Sequence, residues 1–178
     1  FKTLANKILN KAEQKPKSIN QQLDLFAVNP TDGQVSSENT SFESIKTVKH
    51  DYKLIDNQEE ARKLYDFFRT KQILSLDTET TSLSPIDAEL VGLCFAVEAH
   101  QAFYVAIPND REEALQYVNI FKPIYEDPSI LKIGQNIKYD YMVLMNYGVT
   151  LQGKMFDTML AHYVVQPELH HNMDYLAA

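Results

Sequence analysis

Ile73 to Thr80, ILSLDTET, is the stretch on which the fold turns. Its apolar opening, ended by polar residues, predicts a strand over Ile73–Thr78. On a strand, residues i and i+2 share a face, so Asp77 and Glu79 project together from its C-terminal end. In open sheets covered by helices, that edge is where ligands sit. Two carboxylates held together repel unless a cation or a proton is shared, and hard oxygen donors suit Mg2+ or Mn2+. A bare D-x-E is more often a solvated strand end, so the pair needs support from elsewhere in the chain.

Support comes from Gly134-Gln135-Asn136-Ile137-Lys138-Tyr139-Asp140, which follows a short strand predicted over Ile130–Ile133. Gly134 permits a tight strand-to-helix turn, and Asn136 can cap a helix running to Tyr147 and stopping at Gly148. Asp140 then lies one turn into that helix, on the side facing the strand ends. The helix dipole alone favours an acid there. Lys138 and Tyr139 add a phosphate partner and a ring able to stack or hydrogen-bond. Asp157 is open to two readings, a third acid or the cap of its helix, and capping is favoured.

Between and around these stretches the pattern alternates strands and helices. Strands are expected at Tyr52–Ile55, Leu90–Val97 and Ala102–Ile107; the nearly continuous apolar run LVGLCFAV reads as a strand buried on both faces, with Cys94 in the core. Helices are expected from Asn57 to Thr70 with Ala61, Leu64, Tyr65, Phe67 and Phe68 inward, and over Arg111–Glu126 with Ala114, Tyr117, Ile120, Phe121 and Ile124 inward. Two more are expected, over Phe156–Val165 and from Met173 to Ala178. The order of elements predicts an α/β fold: three antiparallel strands, then parallel ones, in a mixed sheet flanked by helices. Residues 1–49 differ. A short helix over Phe1–Lys11 gives way to a polar, turn-rich segment, read as a flexible linker, with the domain proper over 50–178. Lys2, Lys7, Lys11, Lys15 and Lys17 near the N-terminus are read as part of a solvated linker rather than a DNA-binding tail.

With 178 residues, 44% of them hydrophobic, the chain is long enough for one domain with a real core. No window offers the ~18 apolar residues of a membrane span, and no signal peptide is evident. The single cysteine allows no internal disulfide, which fits a reducing, cytoplasmic setting. A net charge of −7 argues against simple DNA coating, which needs a basic surface. It does not argue against an enzyme whose carboxylates hold divalent cations at a phosphate. His162 is expected to pack rather than ligate, and His170 and His171 to lie in a loop.

These motifs, in this order, resemble the proofreading 3'→5' exonuclease domain of bacterial family A DNA polymerase I, in the DEDD exonuclease group. Ile73–Ala96 is similar to the first exonuclease motif and its neighbouring strands, and Lys132–Gly148 to the second. Phe156–Leu160 and Met173–Ala177 match later landmarks. The resemblance covers about residues 45–178 and implies a ribonuclease H-like fold. It implies two divalent cations, Mg2+ or Mn2+, with Asp77 bridging both, Glu79 on one, and Asp140 on the second through water. Paired ions ~4 Å apart activate the attacking water and stabilise the leaving 3' oxygen. It further implies that Thr80 and Leu83 hold the terminal nucleotide, Leu83 wedging against the base, while Gln135, Asn136 and Tyr139 contact a frayed single-stranded 3' end of DNA. By the same resemblance, polymerase and 5' nuclease domains are covalently joined to this one, and the isolated chain is a monomer with no membrane partner.

The family's third motif, Tyr-x-x-x-Asp, is expected downstream of Ala178, so the 178 residues are expected to be weak or inactive alone. Two other readings stand beside the leading one: a polymerase scaffold domain that has lost its chemistry, and a ribonuclease D-like exoribonuclease.

Overall fold

Three strands that follow one another through connections without a helix pair antiparallel: β2 (Ile73–Thr80), β3 (Leu90–Glu98) and β4 (Gln101–Ala106). The β3–β4 turn is two residues, with His100 in the left-handed region at φ 64°. β5 (Leu131–Gly134) is reached through a helix and pairs parallel to β2. This computed structural model describes residues 47–176. The expected helix over Phe1–Lys11, the N-terminal lysines and nearly all of the expected linker lie outside the described residues, as do the last two residues of the expected C-terminal helix.

Among the described residues the sheet has six strands in the order β1-β4-β3-β2-β5-β6. This is the mixed sheet flanked by helices that the pattern predicts, with the expected strand near Tyr52–Ile55 at one edge and one unexpected strand, β6, at the other. β1 (Asp51–Ile55) pairs parallel to β4, a long-range pairing that no local signal announces. β6 (Met155–Asp157) pairs parallel to β5. Here the expected helix from Phe156 is corrected: Met155, Phe156 and Asp157 extend along β5, and the helix begins only at Thr158.

The helices are α1 (Gln58–Phe68), α2 (Arg111–Tyr125), α3 (Ile137–Met145), α4 (Thr158–Val165) and α5 (Met173–Leu176). Each long helix has a start the sequence specifies. The Asn57 side chain accepts the Glu60 N–H at 2.9 Å, and Asp110 accepts those of Glu112 and Glu113. α1 buries Ala61, Leu64 and Phe68; α2 buries Ala114, Tyr117, Val118, Phe121, Ile124 and Tyr125. Tyr65 is only partly buried and Phe67 is exposed, so the α1 face is narrower than expected; on α2, Ile120 is only partly buried and Val118 and Tyr125 are buried in addition.

β2 alternates: Leu74, Leu76 and Thr78 are buried, while Ser75, Asp77 and Glu79 are not. β3 presents Leu93 and Phe95 to the same core face. Phe95 is the hub, its ring 5.1 Å from Phe68, 5.0 Å from Phe121 and 5.9 Å from Tyr125. The other face of β3 is only partly covered: Gly92 is buried against the Tyr104 ring, while Cys94 and Ala96 are half-buried and Val91 is exposed. The expectation of a strand covered on both sides is therefore corrected, and Cys94 is not a core residue. LVGLCFAV reads as uniformly apolar because small residues and a cysteine line the open side.

Lys132 is fully buried within β5, its ammonium spent on backbone carbonyls of Asp127 and Gln152 that cross the end of the sheet. The Tyr125 hydroxyl is buried with no hydrogen-bond partner among the described residues. Two substitutions separate packing from polarity in this core. Phe95→Ala should cost about 3–5 kcal/mol in urea unfolding, the usual range for deleting a buried ring. Tyr125→Phe should cost nothing and stabilise by up to roughly 1 kcal/mol, because it removes a desolvated hydroxyl that pairs with nothing. A large loss in the second variant would show that a partner had been overlooked.

Candidate active site

The site grows from the alternation of β2. Asp77 and Glu79 stand on its open face near the C-terminal end, and Thr78, between them, turns to the opposite face. There the Thr78 backbone N–H and hydroxyl both donate to Asp140 Oδ1, at 2.9 and 2.6 Å. Asp140 is on the first turn of α3, as expected, and is only 1% exposed. The strand that carries two of the acids thus grips the third from behind.

The turn that delivers Asp140 is built differently from the expectation. Gly134 lies tight against Leu76 O and Ile137, where an added Cβ would come within 3.3 Å of the carbonyl oxygen and 3.2 Å of the side chain. Asn136 occupies the N-cap position in the left-handed region at φ 57°, but its side chain makes no capping hydrogen bond. Asp157 does that work: its carboxylate accepts the N–H groups of Asn136 and Ile137 at 3.2 and 2.9 Å. It also accepts those of Met159 and Leu160, capping α4. Of the two readings open for Asp157, capping is what the structure shows, and it serves two helices.

Repulsion among the acids is visible in their protonation. Burial and the neighbouring Glu79 charge raise the Asp77 carboxyl above the ordinary range. Burial lifts Asp140 to about 6, opposed by the Thr78 hydrogen bonds and aided by the Asp77 charge. Both shifts penalise the anionic forms, and a divalent cation would relieve them. The register of β2 with β3 sets Cys94 opposite Asp77, and single ligand atoms of Asp77, Glu79 and Cys94 lie within 4.8 Å of one another. Burial and the three carboxylates push the Cys94 thiol up to about 12. Cys94 is the residue that sequence reasoning missed, because strand register is a non-local property.

Two clefts meet at Asp77. One, of about 370 Å³, is lined by Asp77, Glu79, Thr80, Leu83 and Tyr139. Its wall is braced: the Tyr139 hydroxyl bonds Thr80 Oγ1 and Ser82 O. The loop 81–89 is closed by Thr81 and Glu89, which exchange hydrogen bonds, and is held by Asn146 and Tyr147 from the end of α3. At its tip Leu83 is 97% exposed. The other cleft, about 390 Å³, is lined by Asp77, Gln135, Thr158, Met173 and Leu176. Gln135 is fixed by Thr158 Oγ1 and by its own donation to His171 O at 2.7 Å. His171 faces His162, Nδ1 to Nδ1 at 2.7 Å, and this contact pins the segment before α5. Of the sequence-predicted residues, Thr80, Leu83 and Tyr139 come together beside the acids, Gln135 lies on the other side of Asp77, and Lys138 is exposed on α3. Asn136 contributes its backbone turn.

The raised Asp140 has a measurable consequence. Between the ordinary carboxyl value of 3.8 and about 6 the native state holds a proton that the unfolded state has released. Stability without metal therefore falls as pH rises through that window, by roughly 3 kcal/mol in all. Asp140→Asn keeps an oxygen for Thr78 and removes the charge. In EDTA its melting temperature should exceed that of the wild type at pH 7.5, with the gap closing towards pH 4. An equal gap at both pH values would refute the assignment of the strain to this carboxylate.

Comparison with known proteins agrees with this geometry. The family described as 3'-5' exonuclease matches residues 52–178. DNA polymerase I of Pseudomonas aeruginosa is 39% identical over 118 residues, covering 60% of this chain and 13% of that protein. DNA polymerase I of Borreliella burgdorferi is 31% identical over 160 residues, covering 88% of this chain. The chain spans only 17% of that second relative's length. Among solved structures, ribonuclease D of Escherichia coli superposes with a TM-score of 0.52 at 22% identity, over 66% of this chain and 30% of that one. That likeness shows the fold, the ribonuclease H-like exonuclease sheet. No described helix is long and apolar enough to cross a membrane. With a family match that takes in β1 through α5 and both acidic motifs, the chain belongs to the 3'-5' exonuclease family of DNA polymerase I.

Proposed function

We propose that this chain is the part of a longer polymerase that removes nucleotides from the 3' end of DNA, by hydrolysis that depends on two divalent cations, Mg2+ or Mn2+, and that it proofreads there, with little or no activity as the 178 residues alone. The observation that carries the reading is the arrangement around β2: Asp77 and Glu79 side by side on the open face, Asp140 clamped by Thr78 behind them. The donor set fits hard cations, because carboxylates held against their own repulsion gain most when such ions bind. Bound there, the ions would polarise the phosphate and lower the pKa of the attacking water. The residues' part is to hold that charge in place: Asp77 and Glu79 supply oxygens from a rigid strand, and Thr78 fixes the rotamer of Asp140.

Substrate binding follows from the clefts. The 370 Å³ cleft beside Asp77 and Glu79 is the size of a nucleotide pocket. Thr80 and Tyr139 offer hydroxyls there, and Leu83 offers an apolar side chain from a tied loop. That combination suits a terminal sugar and base without reading sequence. Gln135 and Lys138 flank the approach and suit a single-stranded backbone. A mismatched end is already unpaired, whereas a paired end must be melted at a cost of a few kcal/mol, so such a pocket favours errors. The relatives being whole DNA polymerases, we assign this chain's partners as covalently joined polymerase and 5' nuclease domains.

In the longer polymerase, replacing Asp77 and Glu79 by Ala together should reduce Mg2+-dependent degradation of 5'-labelled single-stranded DNA on the order of a thousandfold. DNA synthesis by a polymerase carrying the same change should continue. Undiminished degradation would sink the reading, and a matching preference for RNA would move it to ribonuclease D-like chemistry. Leu83→Ser tests the pocket separately. Its side chain packs on nothing, so stability should change by less than about 0.5 kcal/mol. Turnover on single-stranded DNA should nevertheless drop, and unaltered kinetics would remove Leu83 from the substrate path.

A further inference from the structure

Cys94 does not belong to the hydrophobic core cluster, yet it is held in place by strand pairing as firmly as the acids are. Cross-strand partners on one face keep their Cβ atoms about 4.5–5.5 Å apart, so the register Asp77↔Cys94 puts the thiol and the carboxylate at neighbouring positions of one face. One ligand atom from each of Asp77, Glu79 and Cys94 falls within 4.8 Å of the other two. Zinc-type ions take sulfur at about 2.3 Å and carboxylate oxygen at about 2.0–2.2 Å. Those bond lengths put tetrahedral donor atoms about 3.5 Å apart, so the three atoms, now within 4.8 Å of one another, would draw together by about an ångström.

The donor types differ in kind. Two carboxylates favour Mg2+ and Mn2+, whereas a thiolate favours Zn2+, Cd2+ or Co2+ and adds little for Mg2+. We propose that Cys94 makes the acid pair a mixed thiolate–carboxylate site that captures thiophilic divalent cations. This rests on the reading that Asp77 and Glu79 hold cations, and adds that the chain's metal preference is set partly from the neighbouring strand. On capture the Sγ–H bond breaks, its proton leaves to solvent, and the sulfur lone pair forms the metal–sulfur bond; no oxidant or reductant is involved. Where zinc competes with magnesium, the site would take the ion that suits sulfur.

Cys94 is the only cysteine in the chain, so a thiolate-to-cobalt charge-transfer band has a single possible origin. The experiment titrates the metal-free protein with Co2+, following near-ultraviolet absorption, with Cd2+ and Mn2+ affinities measured by calorimetry. Wild type should develop the band and saturate at one equivalent. The band should be absent in Cys94→Ser and in the double variant Asp77→Ala with Glu79→Ala. Cd2+ affinity should fall about tenfold or more in Cys94→Ser, with Mn2+ affinity falling much less. Cobalt held by histidines such as His162 and His171 gives visible bands without the sulfur band, so it cannot imitate the result. Cys94→Ala, with far-ultraviolet circular dichroism on every variant, guards against a folding defect in the serine form. Mn2+ binding without any cobalt–sulfur band overturns the inference and leaves the proposed function standing. A band that survives loss of both acids also overturns it, and failure to bind any of these ions overturns both.

Discussion

Thr78 gives both its backbone N–H and its hydroxyl to one oxygen of Asp140, and the rest of the site is arranged around that contact. It joins β2, the strand carrying Asp77 and Glu79, to the first turn of α3. Because Thr78 lies on the core face and its neighbours on the open face, one strand segment supplies packing, clamp and a pair of open-face carboxylates within three residues. The hydroxyl and amide offset part of the cost of keeping Asp140 at 1% exposure, and without them that carboxylate would be forced further towards its neutral form.

The electrostatics follow from that geometry. Burial is the main force raising Asp77, Asp140 and the Cys94 thiol; beyond it, Asp77 raises Asp140, Glu79 raises Asp77, and all three carboxylates raise the thiol. A cluster of this kind is destabilising in the absence of cations and is tolerated because the sheet around Phe95 supplies the stability. The net charge of −7 belongs to the same logic. An acidic protein cannot hold DNA by counterion release alone. Under the proposed function, bound cations would reverse the sign at one place and so confine binding to the site.

What could be read from the sequence was local. The alternation of β2 gave the shared face of Asp77 and Glu79, and a glycine turn after a strand gave the position of Asp140. Features set by pairing between distant segments could not be read. Cys94 looked like core because VGLCFA has no polar residue to mark its open side, and only the register with Asp77 shows which face it is on. β6 reads as the start of a helix, since three residues carry no period and Asp157 is a plausible cap at either boundary. Its second duty, capping α3 across 20 residues of sequence, has no sequence signal. Asn136 was assigned the cap on residue type, yet its left-handed backbone turns it to a different task.

Fold and site depend on the same period of two. A one-residue slip of β2 against β3 would carry every side chain to the other face. Leu74 and Leu76 would go to solvent, and Asp77 and Glu79 would be driven into the rings of Phe68, Phe95 and Phe121. Thr78 would lose Asp140, and Cys94 would lose its carboxylate neighbours. The burial of two leucines, worth about 1.5–3 kcal/mol each, and the desolvation cost of two carboxylates therefore enforce the register that the chemistry needs. The acids need no structural device of their own to stay at the strand end, because every alternative pairing of β2 is excluded by the core before the site is considered.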